Sequence, residues 1–262
     1  MEPNTAAHMG APAQATGIPE QTHLPAGPES RLALGIVAPF DLELDAELWR
    51  WCPPNVDLLI TRTPYVDDAV TVDFALEISD EQQLREGVRS VIAGRADTVA
   101  YACTSASFVR GRAGEEELRA SMLRAGATRA LTTSGALVDA LGVLGARTVA
   151  VATPYLPELS VHLDRYLGEH DIAVVKHEAL GLDREIWSVP YERTARLIRD
   201  VDHPDAEAIV VSCTNLPSYD LIAPLEQELG KPIVSANQAT VWAALRAIGA
   251  AAVGPGQRLI EA

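Results

Sequence analysis

Short apolar runs alternate along this chain with longer amphipathic ones. Leu34-Gly35-Ile36-Val37-Ala38, Thr98–Ala102, Thr148–Ala152 and Ala208–Val211 are continuous rather than alternating apolar runs. Strands of that kind are buried on both faces of a parallel sheet. The amphipathic stretches predict helices over residues 80–93, after Glu115-Glu116-Glu117, and over 192–200 and 220–229. Ser79 with Gln82 reads as a capping box for the first of these. The three glutamates suit the positive end of the second, and Gly230 can close the last. Strands alternating with helices predict an α/β protein whose parallel sheets are covered on both faces.

The pattern repeats at nearly half the chain length. Leu34–Phe40 ends in Pro39-Phe40, and Thr148–Tyr155 ends in Pro154-Tyr155, with the prolines 115 positions apart. Second strands follow at Val56–Thr61 and Ile172–Lys176. Third strands run into Cys103-Thr104-Ser105 and Cys213-Thr214-Asn215, with the cysteines 110 positions apart. Fourth strands, Ala130–Ser134 and Pro232–Ala236, each lead into a helix. Four matches in the same order imply a duplication. The expectation is two pseudo-symmetric Rossmann-like lobes: residues 31–135 with 233–262, and residues 136–232.

Composition narrows the partners. Residues 1–30 carry five prolines and read as a disordered tail with no secretory signal. The formal net charge is −15, of which Glu2, Glu20 and Glu29 in that tail account for −3, leaving −12. An acidic surface argues against nucleic acid and anionic membrane as partners. No apolar run approaches the roughly 20 residues of a membrane span. Cys52, Cys103 and Cys213 are too few and too far apart for a disulfide framework, and free thiols fit a cytoplasmic location. Six scattered histidines offer no His-x-x-x-His or Cys-x-x-Cys pair, so no metal site is expected. Phosphate-binding glycine loops and a Gly-x-Ser-x-Gly elbow are absent as well.

Ligands of open parallel sheets bind beyond the carboxyl ends of the strands. Pro39, Cys103, Pro154 and Cys213 all fall at such ends, so two facing lobes would bring both Cys-Thr motifs to one cleft. A thiolate is a strong nucleophile and a thiol a usable acid. A cysteine just before a helix N-terminus meets free N–H groups that favour the thiolate. Thr104, Ser105, Thr214 and Asn215 add donors that can hold a carboxylate or a developing enolate. Tyr155 stands between ligand contact and rim packing. Cys52 has no counterpart in the other half and reads as packing; His162, His170, His177 and His203 read as solvated.

Cys103-Thr104-Ser105, Thr153-Pro154-Tyr155, Cys213-Thr214-Asn215 before Leu216-Pro217, and the stretch Ile233–Gly249 together resemble the aspartate/glutamate racemase superfamily. The branch is the one containing maleate cis-trans isomerase and arylmalonate decarboxylase, and the likeness covers residues 31–250. The resemblance implies a cofactor-independent enzyme for a small carboxylate, with Cys103 and Cys213 catalytic. Pro39, Thr104, Ser105, Tyr155, Thr214 and Asn215 would bind substrate. A cysteine in each half is the isomerase pattern; the decarboxylases keep only the second, with a hydroxyl-lined pocket in the first half that Thr104-Ser105 also resembles. The isomerases carry an Asn shortly after the first strand's proline, where this chain has Phe40-Asp41. An ionised Asp there would repel a dicarboxylate.

Three readings fit these residues: an isomerase or an amino-acid or hydantoin racemase, a cofactor-free decarboxylase of a substituted malonate, and a non-catalytic carboxylate-binding protein. The sequence leaves the oligomeric state, monomer or homo-oligomer, open. The tail composition predicts that a chain lacking residues 1–30 keeps its melting temperature and turnover; a large loss of either would mean that the tail docks.

Overall fold

A computed structural model describes residues 31–262; the expected tail lies outside the described residues. The first half runs β1 (Leu32–Ala38), α1 (Asp45–Arg50), β2 (Val56–Arg62), α2 (Val72–Glu77), α3 (Glu81–Ala93), β3 (Thr98–Tyr101), α4 (Thr104–Phe108), α5 (Gly111–Arg124), β4 (Ala130–Thr132) and α6 (Thr133–Leu144). The second runs β5 (Thr148–Thr153), α7 (Pro157–Gly168), β6 (Ala173–Ala179), a 3-10 turn (Ile186–Ser188), α8 (Tyr191–Val201), β7 (Ala208–Val211), α9 (Tyr219–Leu229), β8 (Ile233–Ser235), α10 (Ala236–Ala247) and α11 (Arg258–Glu261). The continuous apolar runs are parallel strands, in the order β2-β1-β3-β4 in one sheet and β6-β5-β7-β8 in the other. Strand for strand, the second sheet repeats the first. β3 and β7 are buried throughout, and β1 and β5 are buried except at their first residues.

The repetition extends to single hydrogen bonds. Thr63 N–H donates to Ala38 O at 2.8 Å, and Leu180 N–H to Thr153 O at 3.0 Å. Asp97 N–H donates to Ala33 O and Glu207 N–H to Thr148 O, both at 2.8 Å. The two carboxylates reciprocate: Asp97 accepts from Ala33 N–H at 2.8 Å and Glu207 from Thr148 N–H at 2.9 Å. The entry into each central strand is thereby fixed in the same way twice.

Three boundaries differ from the sequence reading. A division before residue 233 would cut β8 from β7, yet the two pair from Ile209↔Ile233 to Val211↔Ser235, so β8 belongs to the second sheet. Only the chain beyond β8 crosses back: α10 packs on α6 and on β3 and β4. Behind it, Gln257 Oε1 accepts from both Trp51 Nε1 and Gln238 Nε2 at 2.8 Å. The cap of α3 is Asp80, which accepts from Gln83 N–H, because Ser79 Oγ is turned back to Leu76 O. Helix α5 starts at Gly111 (φ +69°), so Glu115 lies in its second turn, buried and accepting from Thr132 Oγ1 at 2.7 Å. Gly230 does close α9, at φ +74°.

The halves are locked by buried polar contacts. Glu47 on α1 is 6% exposed and accepts from Ser218 N–H at 2.8 Å and Tyr219 N–H at 3.0 Å, with Asn237 Nδ2 at 3.4 Å. Glu47→Ala leaves these donors without their acceptor and is expected to cost about 2–3 kcal/mol. Glu47→Gln, which keeps an acceptor, costs less. Urea unfolding of the two variants checks the order; an unchanged midpoint in Glu47→Ala would rule the lock out.

Candidate active site

Parallel register sets where the sulfurs lie. One residue beyond β3, Ala102 N–H donates to Val37 O at 2.8 Å, and the next residue is Cys103. One residue beyond β7, Ser212 N–H donates to Ala152 O at 2.9 Å, and the next is Cys213. Both cysteines line one small cavity, which Pro39, Thr104, Ser105, Tyr155, Thr214 and Asn215 also line. All eight residues singled out in the sequence therefore meet. Its volume is about 20 Å³, room for about one water. Cys52 is elsewhere, its sulfur 3.5 Å from Leu48 O.

The two halves of the cavity are built differently. Cys103 is extended (φ −140°) and stands at the N-terminus of α4, its Sγ 3.7 Å from Ser105 Oγ. Ser107 Oγ braces this turn by donating to Cys103 O at 2.7 Å, and it also meets Ser134 Oγ at 2.7 Å. Thr104 is 1% exposed and its Oγ1 has no partner. Buried polar atoms are nearly always paired, so this hydroxyl is free for a ligand. Cys213 takes φ +97°, a left-handed conformation costly for a side-chain-bearing residue. It opens a turn rather than a helix: Leu216 N–H donates to Cys213 O at 3.3 Å and Asn215 N–H reaches Cys213 Sγ at 3.4 Å.

Asn215 lines the cavity, but its amide is engaged. Its Oδ1 accepts from Glu43 N–H at 2.9 Å and its Nδ2 donates to Asp41 O at 2.7 Å. The side chain holds the loop after β1. Asn237 Nδ2 holds the next carbonyl back, Thr214 O, at 2.9 Å. Glu47, Ser107, Ser134 and Asn237 were not singled out in the sequence; buried polar residues inside helices carry no local pattern that marks them.

Burial pushes the Cys103 thiol up to about 11, against the lowering effect of the Ala106 N–H and the Ser105 hydroxyl. Burial pushes Cys213 up to about 12, against the Asn215 N–H and the Tyr155 hydroxyl. The expected thiolate-favouring N–H groups are present, but desolvation outweighs them. Burial also raises the Asp41 carboxyl, reinforced by Glu43 and opposed by its own backbone N–H, Arg62 and Asn215.

A second cavity of about 280 Å³ adjoins the first and shares Asp41, Val70, Phe74, Ile186 and Asn215 with it. It lies between the loop after β2 and the loop after β6, which meet where Val70 N–H donates to Asp183 O at 2.8 Å. Among the described residues, no group of three or more His, Cys, Asp or Glu side chains is placed to hold a metal ion. No helix among them is long and apolar enough to cross a membrane. His177 and His162 are bonded rather than solvated: His177 to Asp164 at 2.7 Å and Thr153 at 3.2 Å, His162 to Val109 O at 2.9 Å.

The chain is similar to known proteins in sequence and fold. The maleate isomerase of Geobacillus stearothermophilus is 30% identical over 162 residues, 59% of this chain and 64% of its own. The arylmalonate decarboxylase of Bordetella bronchiseptica is 33% identical over 154 residues, 57% of this chain and 64% of its own. The chain thus spans just under two thirds of the length of these relatives. A crystal structure of a doubly substituted arylmalonate decarboxylase in liganded form superposes with a TM-score of 0.80 at 26% identity, covering 87% of this chain and 98% of that one. The profile of the arylmalonate decarboxylase family matches residues 79–260, from just before α3 into α11. The chain belongs to the arylmalonate decarboxylase family.

Proposed function

We propose that the protein is a cofactor-independent isomerase of a small carboxylic acid, similar to maleate cis-trans isomerase, working through Cys103 and Cys213. The observation that carries this is the pair of duplicated cysteines on one cavity beside a buried, unpartnered Thr104 hydroxyl. Cys103, its proton given up to solvent in the free enzyme, adds as thiolate to one carbon of a cis double bond. The π electrons move to the neighbouring carbon and into its carboxylate as an enediolate, which Thr104 and Ser105 stabilise as donors. The former double bond is now single and rotates. Cys213 lends a proton to the carbanionic carbon and takes it back. The returning electron pair re-forms the double bond, now trans, and expels Cys103. Free thiols at both positions suit a cytoplasmic enzyme.

A second reading is a decarboxylase of an arylmalonate. The aromatic side chains Phe40, Tyr65, Phe74 and Trp187 in the adjoining cavity favour it. There Cys213 alone protonates the enediolate left by carbon dioxide. Proton NMR in heavy water with maleate, citraconate, aspartate, glutamate, hydantoins and arylmalonates separates isomerisation, exchange and decarboxylation. Tight binding of a carboxylate with no turnover by the wild-type protein would point to a binding protein instead.

Cys103→Ala and Cys213→Ala should each abolish isomerisation, the double variant should lose little more, and Cys52→Ala should keep full activity. Cys103→Ser should be nearly as poor as Ala. A decarboxylase would tolerate Cys103→Gly; full activity in Cys213→Ala would defeat both readings.

The raised thiols set a pH dependence. In the free enzyme kcat/KM should rise about tenfold per pH unit from about pH 7 toward 9, because the thiolate fraction does. Stability runs the other way. Unfolded cysteine titrates near 8.5, whereas the folded thiols titrate at about 11 and 12. The folded state holds the extra protons, so stability falls as pH rises from about 9 to 11. Melting temperatures of the wild type and of the Cys103→Ala/Cys213→Ala variant check this; the variant's alkaline slope should be shallower.

A further inference from the structure

The outer cavity carries a charge pattern that a dicarboxylate does not match. Asp67, Asp68, Asp183 and Glu185 line it together with Asp41, and Arg184 is its one cationic side chain. Ionised carboxylates only accept hydrogen bonds. The Tyr65 hydroxyl, a donor in this region, is already given to Asp67 at 3.0 Å. The Asn215 amide, at the junction of the two cavities, is spent on Asp41 O and Glu43 N–H. A second carboxylate reaching outward from the cysteines would meet five carboxylates of its own sign against one guanidinium, Arg184.

Aromatic rings supply the rest of the lining. Phe40 packs edge-on against Phe74 at 6.1 Å and against Tyr65 at 5.1 Å, making a path of rings from the cysteine cavity to the surface. At the mouth, Tyr65 is 71% and Trp187 47% exposed. Aromatic faces among carboxylates are the lining that recognises organic cations. Deeper in, the unpartnered Thr104 Oγ1 awaits an acceptor.

We propose that the outer cavity binds the distal end of the substrate, and that this end is an organic cation such as an ammonium group. The substrate is then a carboxylate at the cysteines and a cation at the mouth. This rests on reading the cysteine cavity as the carboxylate site, as in the proposed function. Asp41, Asp67, Asp183 and Glu185 select the cation and reject a second carboxylate, while Phe40, Tyr65 and Trp187 cover its apolar part.

Calorimetry with four saturated probes that share one carboxylate tests this: succinate, succinamate, N-(2-aminoethyl)succinamate and N-benzylsuccinamate. The ammonium probe should bind at least about tenfold more tightly than succinate, and more tightly than the benzyl probe. In Asp67→Asn/Asp183→Asn/Glu185→Gln the ratio of ammonium-probe to succinate affinity should collapse toward one. These residues line an open cavity, and the melting temperature of the variant shows whether it folds; Asp183→Asn alone, which should shrink the ratio severalfold, serves if it does not. Succinate or the benzyl probe binding as tightly as the ammonium probe, an unchanged ratio in the variants, or no binding of any probe would overturn the proposal. Turnover of the unsaturated counterparts, maleate and N-(2-aminoethyl)maleamate, is scored separately. The expected binding order without Cys103-dependent turnover defeats the isomerase reading alone. Fast isomerisation of maleate with the binding order reversed defeats the cation site alone.

Discussion

A carboxylate buried between two packed bodies has to be paired, and Glu47 finds its partners in the second half of the chain. It stands on α1, beside the first sheet, and receives the N–H groups of Ser218 and Tyr219 and the amide of Asn237. Asn237 in turn holds Thr214 O. One buried acid therefore fixes the segment that runs from Cys213 into α9 against the first half. Asn215 adds a second tie from that segment to Asp41 and Glu43. Apolar packing joins the two sheets as well, and these ties fix where the turn carrying Cys213 sits against the first half.

The same burial sets the chemistry. A cavity of about 20 Å³ excludes nearly all water, so both thiols are held protonated. The N–H groups of Ala106 and Asn215 lower each thiol's pKa but do not overcome desolvation. A substrate of several heavy atoms needs more space than this cavity holds, so the proposed reaction would draw on the adjoining cavity, which shares Asp41, Val70, Phe74 and Ile186 with it. The bond from Val70 N–H to Asp183 O joins the two loops over that passage.

Much of this was legible in the sequence, because the apolar character of a buried strand and the residues that end it are local properties. Continuous apolar runs marked the two central strands of each half, their repeat order marked the other two, and the 110-residue spacing of the Cys-Thr motifs brought out the pairing of Cys103 with Cys213. The features that escaped depend on non-local packing. Ser79 and Asp80 are both good caps, and the choice falls to Asp80 because the Ser79 hydroxyl turns back to Leu76 O. The place of β8 depends on its neighbour β7, and the strand's own residues do not name that neighbour. Asn215 read as a ligand donor by its position beside Cys213, but its amide serves the loop after β1. That the thiols are raised comes from how tightly the halves close, which no motif encodes.

Duplication supplied two equivalent positions, and their local geometry has since diverged. Cys103 stands before a helical turn braced by Ser107 and Ser134, with Ser105 Oγ beside its sulfur and the Thr104 hydroxyl unspent. Those surroundings suit the nucleophile of the proposed reaction, whose adduct develops negative charge nearby. Cys213 sits at φ +97° in a tight turn, with its sulfur met by Asn215 N–H and close to the Tyr155 hydroxyl. A conformation of that kind costs about 1–3 kcal/mol and persists only where its surroundings impose it. The ties through Glu47, Asn237 and Asn215 are those surroundings. A strained, raised thiol is suited to holding a proton and passing it over a short, fixed distance. The symmetry of the fold brings both cysteines to one cavity, and the asymmetry of the two turns fits them for the different roles of the proposed reaction.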